Sequence, residues 1–237
     1  MKIRAMTFNT QHCLNFITRK IDYDVMADAI LQCNPDIVSL NEMRDEGTSE
    51  EYDAQVRILS EKTEMHGYFA EAIRFDGNPY GNGILSRYPI KSTEVFPIPV
   101  PEEKAYGGYY EDRCLLKAEI DLGEGKILTV LVIHVGLNPD EAQLAIQTVL
   151  AHLPSERCIL MGDFNLTPDS PILAPIFERM QDAATCIVGE ALSYPSDKPH
   201  VKIDYIFATK DITIESSEIP AIIASDHRPH TAVLTMN

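Results

Sequence analysis

Apolar residues recur along this chain in short runs, and their spacing separates helices from strands. Helical spacing, opened by a cap such as Asp22 or by Asn138-Pro139, predicts helices over about Tyr23–Cys33, Glu50–Thr63, Pro139–Leu153 and Ile172–Met180. Shorter apolar runs predict strands over Ile3–Phe8, Ile37–Leu40, Phe69–Phe75, Gly83–Ser86, Ser92–Pro97, Leu115–Ile120, Ile127–His134, Cys158–Met161, Ile203–Ala208, Ile212–Ile219 and Thr231–Leu234. Helices interleaved with such a series of strands predict two sheets packed face to face, with helices outside.

No internal repeat or low-complexity linker divides the 237 residues, and we expect a single domain over residues 1–237. Prolines and glycines concentrate between two predicted strands, over about Ile98–Asp112. This composition predicts a long loop. Because long loops in compact domains are often functional, we expect this one to face the substrate as a lid.

Polar residues cluster at or near the ends of several apolar runs. The clusters are Asn9, Glu42 in S-L-N-E-M, His134 in L-V-I-H-V, Asp163 and Asn165 in G-D-F-N, Asp204 in K-I-D-Y-I-F, and Ser225-Asp226-His227 after A-I-I-A. A rigid sheet fixes the positions of groups at its strand ends, which is where α/β proteins display catalytic side chains. The pattern therefore indicates a catalytic site assembled from distant parts of the chain.

Two of these clusters have a spacing that indicates chemistry. Asp163 and Asn165 stand two residues apart and point the same way in an extended segment, so one can activate a water while the other donates a hydrogen bond. Asp204 lies on the opposite face of its strand from Tyr205, and a carboxylate on a partly buried strand must be paired. His227 is the natural partner, as a dyad in which Asp204 orients the ring and raises its basicity. A purely structural ion pair is the alternative.

Charge bears on the partners of the protein. There are 20 Lys and Arg against 36 Asp and Glu, a net charge of −16. Such a surface repels polyanions on balance and disfavours a polynucleotide substrate, although Lys198, His200 and Lys202 form a local basic stretch. The five cysteines lack C-x-x-C spacing and are expected to be free thiols. No apolar stretch approaches the ~20 residues of a membrane span and no signal peptide is visible, so a cytoplasmic location is expected.

The motifs resemble those of a known superfamily. G-D-F-N (162–165), I-D-Y-I-F (203–207), S-D-H (225–227) and G-N-G-I-L-S-R-Y-P-I (81–90) resemble segments of the endonuclease/exonuclease/phosphatase superfamily of divalent-metal phosphoesterases. The resemblance runs from Asn9 to His227. It implies an α/β fold, a four-layer α/β/β/α sandwich of two mixed sheets with outer helices. The superfamily includes deoxyribonucleases, abasic-site endonucleases, neutral sphingomyelinases and inositol-polyphosphate phosphatases, so the motifs leave the substrate open.

The resemblance also implies a metal site. Glu42 matches the metal-binding glutamate of the family, and Asn9 and Asp226 would complete the coordination shell directly or through water. Mg²⁺, with Mn²⁺ as a substitute, suits such a site because hard cations prefer oxygen ligands, whereas zinc would require a Cys/His set. Taken alone, Glu42 could be an ordinary loop glutamate and Asn9 a turn former at a strand end.

The remaining candidates concern the substrate. His134 resembles the phosphate-contacting histidine of the family, although a lone histidine after an apolar run is otherwise more often a core residue. Arg113 and Asn82 are weaker candidates for substrate contacts. The general base is either Asp163 or the Asp204–His227 pair, and the residues alone do not choose between them.

These observations predict a Mg²⁺-dependent phosphoesterase that uses in-line attack by water, without a covalent intermediate. A small or lipid-derived phosphoester is favoured as substrate, and endo- or exonuclease action on DNA or RNA is the alternative. A non-catalytic scaffold that keeps the fold would have lost at least one residue of the candidate set, yet all are present. No protein partner is evident.

Overall fold

The computed structural model describes residues 1–236, and two six-stranded sheets form its framework. In spatial order the first sheet contains β11 (Ile212–Glu218), β12 (His230–Met236), β1 (Lys2–Asn9), β2 (Ile37–Arg44), β4 (Asn78–Ser86) and β3 (His66–Phe75). The second contains β5 (Ile90–Ile98), β6 (Arg113–Asp121), β7 (Ile127–His134), β8 (Cys158–Asp163), β10 (Asp204–Thr209) and β9 (Met180–Asp182). Both are mixed, because β1–β2 and β7–β8 are parallel while the other neighbours are antiparallel.

Three apolar clusters hold the layers together. The central cluster lies between the sheets and joins, for example, Ile3 and Ile84 of the first sheet to Val130 and Met161 of the second. A second cluster packs helix α3 (Pro139–His152) and the short helix α4 (Ala174–Arg179) on the outer face of the second sheet. A third packs α1 (Tyr23–Cys33) and α2 (Gln55–Thr63) on the outer face of the first sheet. The predicted four-layer α/β/β/α sandwich is therefore confirmed.

The helix ends follow from local chemistry. Asp22 caps α1 by accepting a hydrogen bond from the backbone N–H of Val25 (3.1 Å). Asn34 ends α1 in the left-handed conformation, and Pro35 prevents its continuation. At the start of α3, the carboxylate of Glu141 accepts the backbone N–H of Asn138 (3.2 Å), which completes the N-terminal turn before the apolar face begins.

Some predicted boundaries were wrong. Helix α2 begins at Gln55 instead of Glu50, because the ring of Tyr52 packs against His12 and under the guanidinium of Arg44, which holds this segment away from the helix axis. The helix predicted over 172–180 is a 3₁₀ turn, Pro171–Leu173, followed by α4. Strand β9, which pairs with β10 at the sheet edge, was missed because three residues are too few to show a period.

The fold also bears on the cysteines, on membrane-spanning helices and on the predicted long loop. All five cysteines carry free thiols; only Cys186 is exposed. No helix within residues 1–236 combines the length and the apolar character that a membrane crossing requires. The segment 99–112, between β5 and β6, is an irregular loop as expected.

Candidate active site

The strand register brings the polar clusters to one end of the sandwich. Asn9 and Asn41 are partners where β1 and β2 run in parallel, and His134 and Asp163 are partners where β7 and β8 run in parallel. The antiparallel strand β10 starts opposite the same point, since Asp204 pairs with Asp163. Parallel strands end together, so their carboxyl ends present these side chains at a shared edge between the two sheets.

Asp163 lies at the centre of this edge and is 2% exposed. Its Oδ1 accepts the backbone N–H of Asn165 (2.9 Å), and its Oδ2 accepts the side-chain N–H of Asn9 (3.0 Å). Burial raises the pKa of Asp163 well above that of an ordinary aspartate, because the charged form loses its water. The preceding Gly162 has φ +150°, and a Cβ there would lie 1.8 Å from the carbonyl oxygen of Ile133, so only glycine fits.

The predicted Asp–His pair is present. Nδ1 of His227 lies 2.8 Å from Oδ2 of the fully buried Asp204, and Nε2 of His227 lies 3.6 Å from Oδ2 of Asp163. Burial alone would lower the pKa of His227, but the carboxylates of Asp204 and Asp163 outweigh it and raise the pKa. His227 therefore lies between two carboxylates that favour its protonated form, and the ring of Tyr194 packs against it at a centroid distance of 4.8 Å.

Glu42 and Asp226 form the acidic side of the site. Glu42 has φ +62°, a left-handed conformation that is uncommon for glutamate, and it sits at an irregularity in the β2–β4 pairing. Asn9 donates to Oε1 of Glu42 (2.9 Å), while Ser225 donates to Oδ1 of Asp226 (3.0 Å). Burial raises the pKa of Glu42, and the nearby Asp226 carboxylate raises it further.

These acidic residues suit a hard divalent cation. Neither Glu42 nor Asp226 forms an ion pair with a lysine or arginine among residues 1–236, although each carboxylate acts electrostatically on the other. Two neighbouring carboxylates without a direct ion-pair partner are a donor set that Mg²⁺ or Mn²⁺ fits. Ligand atoms of Asp163, Asp204 and His227 also lie within 4.8 Å of one another, but there both carboxylates already face the His227 ring and favour its protonated form.

Asn9 lies in the site as predicted, with a defined orientation. Its Oδ1 accepts the backbone N–H of Gln11 (3.0 Å), and a backbone N–H can only donate, so its amide nitrogen faces Glu42 and Asp163. In this orientation Asn9 holds the two carboxylates in place. Its assignment as a direct metal ligand stays a prediction.

His134 and Arg113 meet beside Asp163. Nη1 of Arg113 lies 2.8 Å from Nδ1 of His134 and 2.8 Å from Oε1 of Glu111. Nε2 of His134 lies 3.2 Å from the amide nitrogen of Asn165 and 3.7 Å from Oδ2 of Asp163. Burial and the Arg113 charge hold the pKa of His134 well below that of a free histidine, so the ring is neutral.

Asn82 lies close to the site, but its amide is already engaged. Its Nδ2 donates to the carbonyl of Cys114 (3.0 Å), and its Oδ1 accepts from Asn41 (2.8 Å). Asn41 also donates to the carbonyl of Ile133 (2.9 Å) and accepts the backbone N–H of Asp163 (2.9 Å). The two asparagines thus link the first sheet to the second behind the candidate catalytic groups. The predicted contact of Asn82 with substrate stays untested.

Sequence reasoning missed Asn41, Glu111 and Tyr194. Asn41 stands next to Glu42 in S-L-N-E-M and directly follows an apolar run. This position could have indicated its role, since a buried amide must have hydrogen-bond partners. Glu111 precedes Arg113 by two residues, a spacing that places both on one side of an extended segment. Nothing in the sequence marks Tyr194, because the loop that carries it over His227 has no regular pattern.

Comparisons with known proteins agree with this fold. The model of the endonuclease/exonuclease/phosphatase family matches residues 6–227. YbhP of Escherichia coli K12 is 24% identical over 97% of this chain and 94% of its own length. A crystal structure of an endonuclease/exonuclease/phosphatase from Beutenbergia cavernae has a TM-score of 0.81 at 21% identity, covering 100% of this chain and 72% of that one. A mannosyl-6-phosphatase from Bacteroides thetaiotaomicron has a TM-score of 0.73 at 13% identity, covering 99% and 100%.

Fold and site together define an α/β/β/α sandwich whose strand ends carry a cluster of carboxylates and histidines. The chain belongs to the endonuclease/exonuclease/phosphatase family, whose members are hydrolases of phosphoester bonds and generally depend on divalent metals.

Proposed function

We propose that this protein is a Mg²⁺-dependent hydrolase of small phosphoesters that uses in-line attack by water. The observation that carries the proposal is the convergence of three kinds of group on one point. They are a pair of carboxylates without a lysine or arginine ion pair among residues 1–236, Glu42 and Asp226, a buried base, Asp163, and hydrogen-bond donors supplied by His134, Asn165 and His227. Phosphoester hydrolysis requires these three functions.

Glu42 and Asp226 would hold the cation, with Asn9 fixing the Glu42 carboxylate. When bound, Mg²⁺ would neutralise charge on the phosphoryl oxygens and orient the substrate. Glu42 is suited to this role because it is kept largely out of water while remaining beside a second carboxylate.

The charges favour Asp163 as the general base. His227 is held protonated by Asp204 and Asp163, so its Nε2 is a donor and has no lone pair with which to accept a proton. Burial raises the pKa of Asp163, which brings its basicity closer to that needed to deprotonate water near neutral pH. In this arrangement His227 donates toward developing negative charge, and Asp204 keeps its ring oriented.

The charge of the molecule supports a small substrate. With a net charge of −16, the protein repels a long polyanion on balance and would bind a phosphoester through the few donors of the site. Lys202, one of the three basic residues that could have lined a nucleic-acid track, is buried in an ion pair with Asp182 (3.1 Å). The structural similarity to a mannosyl-6-phosphatase supports a sugar phosphate among the substrates to try first.

The test is a turnover panel with Mg²⁺, Mn²⁺ or excess chelator. It contains sugar monophosphates, phosphodiesters with lipid head groups, and plasmid DNA. We expect a metal-dependent release of phosphate or of a head group, lost in Glu42→Gln and Asp163→Asn and kept in the surface control Glu156→Gln. Undiminished turnover in excess chelator would contradict the metal mechanism, and preferential nicking of plasmid would replace the small substrate with DNA.

A further inference from the structure

Arg113 is buried in the site, and its contacts point away from solvent. It begins β6, is 9% exposed, and places Nη1 at 2.8 Å from both Glu111 and His134. Glu111 is itself buried, and its backbone N–H is held by the carboxylate of Glu141 (3.0 Å) at the start of α3. The Glu111 carboxylate therefore holds the guanidinium of Arg113 in position, and its Nη1 group lies within hydrogen-bond distance of Nδ1 of His134.

This contact decides which nitrogen of His134 carries the proton. A guanidinium N–H can only donate, so Nδ1 must accept and cannot hold a hydrogen. The ring is neutral in its buried position beside a positive charge, and a neutral imidazole has one N–H. The hydrogen is therefore on Nε2, the nitrogen that faces Asp163 and Asn165.

Asn165 supplies a second donor at the same place. Its amide nitrogen lies 2.9 Å from the carbonyl oxygen of Val135, and a carbonyl can only accept, so the orientation of the amide is fixed. Nδ2 of Asn165 lies 3.2 Å from Nε2 of His134. With a hydrogen on each nitrogen, the two groups are both donors and do not bond each other. Both N–H groups are left for one shared acceptor in the site.

We infer that Arg113 is a positioning residue that locks His134 in the Nε2–H tautomer, so that His134 and Asn165 form a two-donor cradle for one phosphoryl oxygen. A carboxylate or carbonyl at the position of Arg113 would do the opposite. It would bind an Nδ1–H and leave Nε2 as a bare acceptor, which suits a base. The arginine thus assigns His134 to hydrogen-bond donation. The assignment of a phosphoryl oxygen as the ligand of this cradle rests on the proposed function, whereas the assignment of the tautomer does not.

The tautomer is measured directly by ¹⁵N NMR of the histidine rings in the full-length protein, with His134→Gln to assign the signals. In the wild-type protein we expect an unprotonated Nδ1 and a protonated Nε2 at neutral pH, with neither substrate nor metal added. A protonated Nδ1, or fast exchange between tautomers, would overturn the inference whatever the activity of the protein.

Variants separate positioning from packing. Arg113→Lys keeps a charged donor and should retain the tautomer. Arg113→Gln has an amide that can donate or accept, so it should give a mixture of tautomers. Glutamine is used instead of an apolar residue because it keeps a polar group beside the buried carboxylate of Glu111. Arg87→Gln is the matched control, an arginine that bonds Asn34 and the carbonyl of Pro35 away from the site. An unchanged His134 spectrum in folded Arg113→Gln would refute the positioning role.

Kinetics then test the cradle. With a substrate from the panel, Arg113→Gln should lower kcat at least tenfold with little change in KM, and Arg113→Lys should recover most of the loss. A rise in KM with kcat unchanged would instead show that Arg113 contacts the substrate directly. If nothing in the panel is turned over, the proposed function fails, and the NMR result still decides the tautomer.

Discussion

At the scale of single residues, the site is organised around the ring of His227, which lies between two carboxylates. His227 contacts Asp204 at 2.8 Å and Asp163 at 3.6 Å, and all three side chains are withdrawn from water. Low local dielectric strengthens these attractions and makes an unpaired member costly. Replacing any one of them leaves a buried polar partner unpaired, so the three are expected to act as a unit.

The first prediction follows from this coupling. His227→Ala and Asp204→Asn should each lower kcat by about 10² or more, as removal of an acid–base group does. Their double variant should be little worse than either single one, because both remove the same function. Steady-state kinetics checks the rates, and thermal melts check that the variants remain folded. Fully additive barriers would mean that the two residues act independently.

The second prediction concerns acid stability. His230 is fully buried between Ser217 and the backbone of Asp204, and burial lowers its pKa to about 4. Between pH 6.5 and 4 the unfolded chain binds a proton at this position that the folded protein does not, so stability is lost as the pH falls through this window. From pH 7.5 to 5.0 the loss from His230 is about 2 kcal/mol.

Urea unfolding at the two pH values measures this effect. His230→Gln should show a smaller loss of unfolding free energy between them than the wild-type protein, whereas the exposed His66→Gln serves as control. An equal pH dependence in His230→Gln and wild type would show that the buried ring is not responsible.

The members of the candidate site were largely predictable at this scale, because phosphoester hydrolysis requires carboxylates, histidines and amides that can be recognised in the sequence. Asp163, Asp204 and His227 were placed together from their positions at strand ends and from the need to pair a buried carboxylate. The orientation of Asn9 and the link from Glu111 through Arg113 to His134 were not predictable. They depend on which hydrogen-bond partner each side chain meets in space, and sequence spacing does not carry that information.

At the scale of elements, the close approach of β7 and β8 makes the site compact. Gly162 lets the carbonyl of Ile133 lie where any other residue would place its Cβ. The parallel register that results sets His134 beside Asp163. A side chain at position 162 would have to push the two strands apart.

The third prediction is that Gly162→Ala destabilises the fold by at least about 3 kcal/mol, combining backbone strain with displaced strands. Gly125→Ala is the matched control, since Gly125 also has a positive φ (+74°) but open space around it. That substitution should cost only the conformational strain, about 1–2 kcal/mol. Chemical denaturation measures both, and similar losses in the two variants would disprove the steric account.

The fourth prediction concerns the loop over residues 99–112. The carboxylate of Asp140, in the first turn of α3, accepts the backbone N–H of Ala105 (3.1 Å) and the hydroxyl of Tyr110 (2.8 Å). Asp140→Ala should speed hydrogen exchange in this loop and raise KM, while Asp140→Asn, which keeps an oxygen acceptor, should change both less. Exchange measured by mass spectrometry would contradict the tether if Asp140→Ala left the loop as protected as before.

Element boundaries were predicted less well than element identities. Strands such as β7 matched their apolar runs, because a buried strand is marked by continuous apolar residues. Helix α2 started five residues late and β9 was missed, since these ends are set by tertiary contacts of Tyr52 and by pairing with β10. Such contacts leave no period in the sequence.

At the scale of the whole molecule, charge sets which substrates approach. The chain has a net charge of −16 and a pI of about 4.7. A protein that neutralises many phosphates of DNA releases many counterions and loses affinity steeply with salt. This molecule has only a few donors at its site, so its interaction with a small anion should be much less sensitive to salt.

The fifth prediction is that KM for a small phosphoester changes only mildly between low and physiological salt, and that turnover of this substrate exceeds plasmid nicking. Parallel assays of both substrates across a salt series provide the measurement. Efficient plasmid cleavage with an affinity that falls by orders of magnitude over the same range would establish a nuclease instead.

The overall architecture was predictable only in part from periodicity. Alternating strands and helices indicated two packed sheets, but the spatial order of the strands follows from long-range pairing, such as β12 beside β1. The four-layer arrangement was predicted from the resemblance of the motifs to the family. The apolar faces then explain them, since each sheet buries one side against the other sheet and one against helices.

The tie made by Asn41 and Asn82 between the sheets has a consequence for inactivation. Each sheet keeps its own ladder of hydrogen bonds, yet the catalytic groups belong to both sheets and meet only while the interface is closed. A slight separation of the two sheets would therefore remove the proposed activity while nearly all secondary structure is kept. Mild warming or dilute urea should therefore abolish turnover before circular dichroism detects any loss of secondary structure. Turnover would then be the most sensitive measure of the contact between the two sheets.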